Sequence, residues 1–269
     1  RMMARDTYVR FGNGKIPTNE EIQTVLEDYL GAVAVEITRP VERSWICVLP
    51  VRIMGSATNY GILINMPRIE RIDVGGYVYH VLNRANARVQ IFDDRDDYLQ
   101  FEEVLEEAVE KFAMRLLAYS IMPNHWHLVL HPKNDGDLKL FMNWLSNTHT
   151  RRWHIQKDTV GQGHLYQGRY KSFICQNDNH FLTLVRYVER NAKKANLVRR
   201  AEQWQWSSVW RRETGSVQKR KLLSSWPVIL PHDYLEWLNK PQSQNEEEAL
   251  ERSQQKSVPF GDPTWTDRM

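Results

Sequence analysis

From residue 75 the apolar positions alternate between strand-like and helix-like spacing. Gly75-Gly-Tyr-Val-Tyr-His-Val-Leu82 has a period of two and reads as a strand ending at Asn83-Arg84. After the run Asp93-Asp-Arg, Phe101, Leu105, Val109 and Phe112 share one face of an acidic amphipathic helix from Tyr98 to Phe112. Residues 114–122 form a second strand. Pro123-Asn124 turns the chain into a third, where Leu128-Val-Leu130 is apolar. A second helix is expected from about Asp137 to Gln156, and Gly161-Gln-Gly163 reads as a loop. Lys171-Ser-Phe-Ile-Cys175 is a fourth strand, and Asp178 caps a third helix from about Asn179 to Asn196. The order β-α-β-β-α-β, followed by a helix, predicts an α+β protein with a ferredoxin-like split topology. Such an antiparallel sheet carries helices on one face and leaves its two central strands open on the other.

The flanking regions have other textures. Residues 1–65 predict a small α+β appendage of unassigned role. It has a helix starting at Pro17-Thr-Asn-Glu-Glu21 and strands at Ala32-Val-Ala-Val-Glu-Ile37 and Trp45-Ile-Cys-Val-Leu49. Met66-Pro-Arg-Ile reads as a plausible native start for the domain that follows. Residues 216–269 read as a helical and polar tail. It contains the basic cluster Lys219-Arg-Lys221, an apolar and aromatic stretch from Leu222 to Leu238, and a helix around Glu246-Glu-Glu-Ala-Leu-Glu251. The expected division is therefore 1–65, 66–215 and 216–269.

Composition narrows the class. Apolar residues make up 42% of 269 positions, enough for a core. No run approaches the ~18 apolar residues of a membrane span, and no signal-like apolar stretch follows Arg1-Met-Met-Ala-Arg. The two cysteines, Cys47 and Cys175, form no CxxC pair, which fits a reducing cytoplasm and speaks against a zinc-thiolate site. The net charge of +3 hides an asymmetry. Residues 147–221 carry 16 Lys+Arg against 5 Asp+Glu, and residues 66–146 carry 9 against 13. A basic block beside an acidic helix suggests a face for a polyanion, or simply a solvated helix surface.

Chemistry concentrates in Ile121-Met-Pro-Asn-His-Trp-His-Leu-Val-Leu-His131. On a strand, His125 and His127 project from one face, with Trp126 on the other. Two imidazoles at fixed spacing make half of a divalent-metal site; the spacing alone better suits one surface and one core histidine. His131 reads as an edge residue further along the same face. On the third helix, Tyr187 and Asn191 are i and i+4 and share a face. Tyr187 offers an oxygen nucleophile for phosphorus, and Asn191 offers a carbonyl oxygen as a third metal ligand. Such a mixed site with open positions suits Mg²⁺ or Mn²⁺ holding a phosphate oxygen. The loop and strand from Gly163 to Ser172 present His164, Tyr166, Gln167, Arg169, Tyr170 and Lys171, a mixture suited to phosphates and unpaired bases. Trp204, Trp206 and Trp210 read as core anchors.

Several of these motifs occur together in a known order. Tyr79-His-Val-Leu-Asn-Arg84, Ile91-Phe92, Met122-Pro-Asn-His-Trp-His-Leu-Val-Leu130, Gly163-His-Leu-Tyr-Gln-Gly-Arg-Tyr-Lys-Ser172, Arg186-Tyr-Val-Glu-Arg-Asn191 and Trp204-Gln-Trp-Ser-Ser208 resemble the REP-associated tyrosine transposases. These belong to the single-tyrosine HUH transposases. The resemblance covers residues 66–215 and extends to a tail motif around Pro259-Phe-Gly-Asp262. It implies an endonuclease and strand transferase acting on single-stranded DNA near REP-like hairpins. His125, His127 and Asn191 would then hold the metal, and Tyr187 would take the 5′-phosphate. Arg84, Arg186, Arg190, Lys193 and Lys194 join the loop residues as expected DNA contacts, and a monomer or homodimer is expected. One departure stands out: Ala192-Lys-Lys-Ala195 follows Asn191, where family members usually continue with Pro, so the helix should run on. The rival readings are a domesticated DNA-binding relative without activity and a replication or relaxase nickase of the same chemistry.

Overall fold

The computed structural model describes residues 72–269 in full and, before them, Thr24 and the backbone of four strands. The chain divides into two compact units, Arg1–Arg71 and Ile72–Met269. In the first, β1 (Val9–Arg10), β2 (Val35–Ile37), β3 (Ile46–Ile53) and β4 (Asn59–Asn65) form a sheet in the order β1-β4-β3-β2. The β1–β4 pair is parallel and the others are antiparallel. The strands expected around residues 32–37 and 45–49 correspond to β2 and β3. The helix expected after Pro17 lies outside the described residues apart from Thr24, which is helical.

The second unit is built on β5 (Val78–Arg84), β6 (Arg115–Met122), β7 (His125–His131) and β8 (Lys171–Cys175), in the order β6-β7-β5-β8, with every pairing antiparallel. Helices α1 (Arg95–Lys111) and α2 (Asp137–Gln156) complete the ferredoxin-like split order. A capping box starts α1: Asp94 accepts from the backbone of Asp96 and Asp97, and the Asp97 carboxylate answers the Asp94 amide. Asp97 is buried and holds Lys157, just past the end of α2, at 2.8 Å.

The sheet separates two cores. One face carries Tyr79, Val81, Trp126, Leu128 and Leu130 against Phe101, Leu105, Phe141 and Leu145 of α1 and α2. The other carries Val78, Val129 and Phe173 against α3 (Asn179–Glu189), whose buried residues are led by Phe181, Leu184, Val185 and Val188. One more turn, α4 (Asn191–Lys194), follows Arg190. With Ala192 where proline is usual, the backbone amides stay available, and the turn ends at Asn196 in the left-handed region.

The segment expected as a tail is packed into this unit. It contains α5 (Ser208–Thr214), α6 (Val217–Arg220), α7 (Tyr234–Asn239), α8 (Gln244–Lys256) and α9 (Pro263–Thr266), with α5 starting before residue 216. The Leu222 to Leu238 stretch is helical only at its end, in α7. Buried Glu189 fixes α3 to these elements through Ser208 Oγ at 2.6 Å, Tyr234 Oη at 2.6 Å and Arg212 at 2.7 Å. No helix among the described residues is long and apolar enough to cross a membrane.

Candidate active site

The sheet register sorts the chemistry. Arg84 pairs with His125, Leu82 with His127, and His80 with Val129, so these residues rise from one face on successive rungs of the two central strands. Lys171 extends the His127 rung onto β8 through its pairing with Leu82. Trp126 points the other way and is fully buried.

Tyr187 and Asn191 descend onto this face from α3 and α4. The Tyr187 ring stands edge-on to His127, centroids 5.7 Å apart, and His125 and His127 are 5.0 Å apart. Asn191 Nδ2 donates to His127 Nε2 at 3.1 Å, and His127 Nδ1 meets His80 Nε2 at 2.9 Å. With its Nε2 accepting, the proton of His127 sits on Nδ1 and is donated to His80. His125 Nδ1 likewise donates to Asn124 Oδ1 at 2.6 Å. Both imidazoles thus direct an Nε2 lone pair away from the strand, and rotating the Asn191 amide turns its oxygen toward His127. These residues fit a divalent cation: two fixed nitrogen donors and one amide oxygen.

Burial keeps the imidazoles neutral, as ligation requires. It lowers His80 to about 3, and burial with the nearby Arg84 charge lowers His125 to about 4. His127 is pushed well below the usual range by burial, then by His125, His80 and Arg84. The Tyr187 phenol is pushed up to about 12, first by burial and then by Glu251, with Arg84 pulling the other way. Its hydroxyl faces Gln254 of α8 at 3.4 Å.

His80 escaped notice as a site residue in the sequence. The available signal was a titratable residue in the middle of an alternating buried strand, on the face that β7 fills with histidines. His131, further along β7, meets Arg115 at 2.7 Å instead of joining the cluster. A separate group, Asp178, His180 and Asp262, brings metal-compatible atoms within 4.8 Å of one another at the start of α3. It lies about two and a half helical turns before Tyr187, and the His180–Asp178 hydrogen bond of 2.8 Å accounts for two of its members.

The residues expected to meet DNA divide into two sets. His164, Gln167, Arg169 and Lys171 are exposed, and Tyr170, Arg84 and Arg190 are half-buried. Gly163, at φ 111°, gives their loop a turn that a side chain would strain. Tyr166, Arg186 and Lys193 are engaged within the chain. Tyr166 is buried on the α1–α2 face, where its hydroxyl accepts from Trp126 Nε1 at 2.9 Å and meets His149 at 2.6 Å. Arg186 donates to the carbonyl of Lys240 at 3.0 Å and lies over the Trp237 ring. Lys193 donates to the carbonyl of Asn239 at 2.7 Å. Lys194 pairs with Glu247 at 2.9 Å. Much of the basic block is therefore neutralised internally, and α1 supplies acidic partners on the face opposite the histidines: Arg152 with Glu107 and Arg211 with Glu102 and Glu106.

Residues 73–191 match the model of the IS200-like transposases. Among solved structures, the chain is similar to a REP-associated tyrosine transposase bound to a REP hairpin. The identity is 18% and the TM-score 0.47, over 59% of this chain and 89% of that one. A Deinococcus radiodurans R1 protein assigned as a transposase matches at 19% identity and TM-score 0.35, over 46% and 97%. The tRNA(His) guanylyltransferase of Saccharomyces cerevisiae matches at 12% and 0.38, over 73% and 86%. Comparison with curated protein sequences gave no match.

Proposed function

We propose that this chain is a REP-associated tyrosine transposase that cleaves and rejoins single-stranded DNA near hairpins through a 5′-phosphotyrosine intermediate. The observation carrying the proposal is the meeting of Tyr187, His127 and Asn191 where α3 and α4 pack over the histidine face of the central strands. Tyr187 Oη attacks the scissile phosphorus as its proton leaves to solvent. The Oη–P bond forms, the P–O3′ bond breaks, and the departing oxygen takes up a proton to become a 3′-hydroxyl. One phosphoester replaces another, so the reverse attack by a 3′-hydroxyl joins strands without ATP. His125, His127 and Asn191 would hold Mg²⁺ or Mn²⁺, which when bound supplies positive charge to the phosphate. His80 and Asn124 orient the two imidazoles through their Nδ1 atoms. Tyr187 packs, half-buried, against the core between α3 and the sheet, which fixes the place of its ring beside His127.

Labelled single-stranded hairpin DNA from beside its own gene, incubated with and without Mn²⁺, tests the proposal. The wild-type protein should form a metal-dependent adduct that survives denaturation. Tyr187→Phe should bind the DNA and form none. An adduct of undiminished yield in the Phe variant would sink the assignment.

A further inference from the structure

Arg84 and Arg190 are both half-buried with an Nε that lacks a hydrogen-bond partner; Arg84 is the one carried by the central strands. Its pairing with His125 places it on the histidine face, at the end of β5 where the strand opens toward the Gly163 loop. Its backbone is fixed on both sides: its amide donates to Asn83 Oδ1 at 3.0 Å, and its carbonyl accepts from Gln167 at 2.9 Å. One donor of its guanidinium is unmet. Nε is buried without a hydrogen-bond partner, and among the described residues no carboxylate pairs with it. Lys193, Lys194 and Arg212 are bound to carbonyls or carboxylates of this chain, and Arg186 is bound to the Lys240 carbonyl although its Nε is also unpartnered. The Arg84 charge bears at once on His125, His127 and Tyr187, so it lies within electrostatic reach of all three.

A half-buried guanidinium with an unmet donor is costly unless an anion completes it. It offers a planar pair of N–H groups suited to two oxygens of one phosphate. Resting on the reading of Tyr187 as nucleophile, we propose that Arg84 is a catalytic residue that grips a non-bridging oxygen of the phosphate Tyr187 attacks. The phosphate oxygens gain negative charge as the Oη–P bond forms and the P–O3′ bond breaks. Donors already aimed at them stabilise that charge without reorganising. Arg84 keeps its proton throughout and exchanges none with Tyr187 or the leaving oxygen.

The test compares wild type, Arg84→Ala and Arg84→Lys for adduct formation on one hairpin substrate at saturating Mn²⁺. The natural scissile phosphate is set beside its two methylphosphonate diastereomers, with thermal unfolding as the check on fold. Arg84→Ala should lower the single-turnover rate by about 10²–10³-fold, with a smaller change in DNA affinity. Added guanidinium ion at millimolar concentration should restore part of that rate. Arg84→Lys should fold as wild type and recover only part of the loss, because an ammonium cannot make the paired contact. In one diastereomer the gap between wild type and Arg84→Ala should close, since the oxygen Arg84 holds is missing. Rates within threefold of wild type for both variants, or an equal gap on both diastereomers with no rescue, would overturn the role of Arg84 while leaving the tyrosine reading intact. Failure of wild type to form any adduct on natural DNA would overturn both.

Discussion

His127 Nδ1 and His80 Nε2 meet across adjacent strands, at 2.9 Å. That bond fixes the tautomer that leaves His127 Nε2 free for a metal. His80→Phe keeps the volume beside Phe173 but removes the acceptor. Metal affinity should fall by roughly 10–100-fold, read as a shift in the Mn²⁺ concentration that half-saturates adduct formation. An unchanged midpoint would show that His127 needs no partner at Nδ1.

The same burial makes stability depend on pH. His80 and His125 have folded pKa values of about 3 and about 4, below the unfolded value of 6.5. Between these limits the unfolded chain binds more protons, so stability is fully present above about pH 6.5 and is lost as pH falls toward 4. Thermal unfolding with a chelator present should show a midpoint that is flat near pH 7–8 and declines from pH 6.5 to 5. Each buried imidazole adds up to about 1.4 kcal/mol per pH unit. His80→Phe should flatten the decline, and an unaltered slope would mean that His80 takes up its proton while folded.

Tyr187 predicts a rate that rises with pH. Its phenol is pushed up to about 12, so the reactive phenolate is scarce near neutrality and increases with each unit of pH below that value. Glu251 contributes to the elevation, so Glu251→Gln should lower the pKa and speed adduct formation at fixed pH. A slower variant would place Glu251 in the reaction rather than in the background field.

Much of the sheet was legible because each strand carries its own signal. Alternation at Val78–Arg84 and the turn residues Pro123-Asn124 suffice to define a hairpin and its neighbour. The spacing of His125 and His127, and of Tyr187 and Asn191, is local geometry and is readable as such. Which donor meets which acceptor is long-range. Tyr166 sits among glycines, basic residues and Tyr170, a setting that suits a nucleic-acid loop, yet Trp126 and His149 draw its hydroxyl into the core. His80 gains meaning only once β7 lies beside it, and Arg186 only once α7 supplies Trp237.

Charge count and charge availability therefore differ, and salt dependence separates them. Lys171 is exposed on the His127 rung, whereas Lys193 is tied to Asn239. Lys171→Ala should reduce the slope of log affinity against log salt by about 0.7, the value for one phosphate on a single strand. Lys193→Ala should leave the slope near wild type and lower the unfolding midpoint. A reversal of the two effects would move the DNA path to the α4 side.

The C-terminal residues have a further consequence for the sheet itself. Phe260 bridges to Cys175 along β8, and Ser207 bridges to Ser120 on β6 with Ser224 bonding the Leu116 carbonyl, so later chain covers both outer strands. An uncovered strand edge is a template for intermolecular pairing. During synthesis, the β8 edge stays bare until Phe260 has left the ribosome, and until then it is open to pairing with another chain. The cover on β8 thus comes late in the chain, from Phe260, which also packs into the core beneath the tyrosine helix.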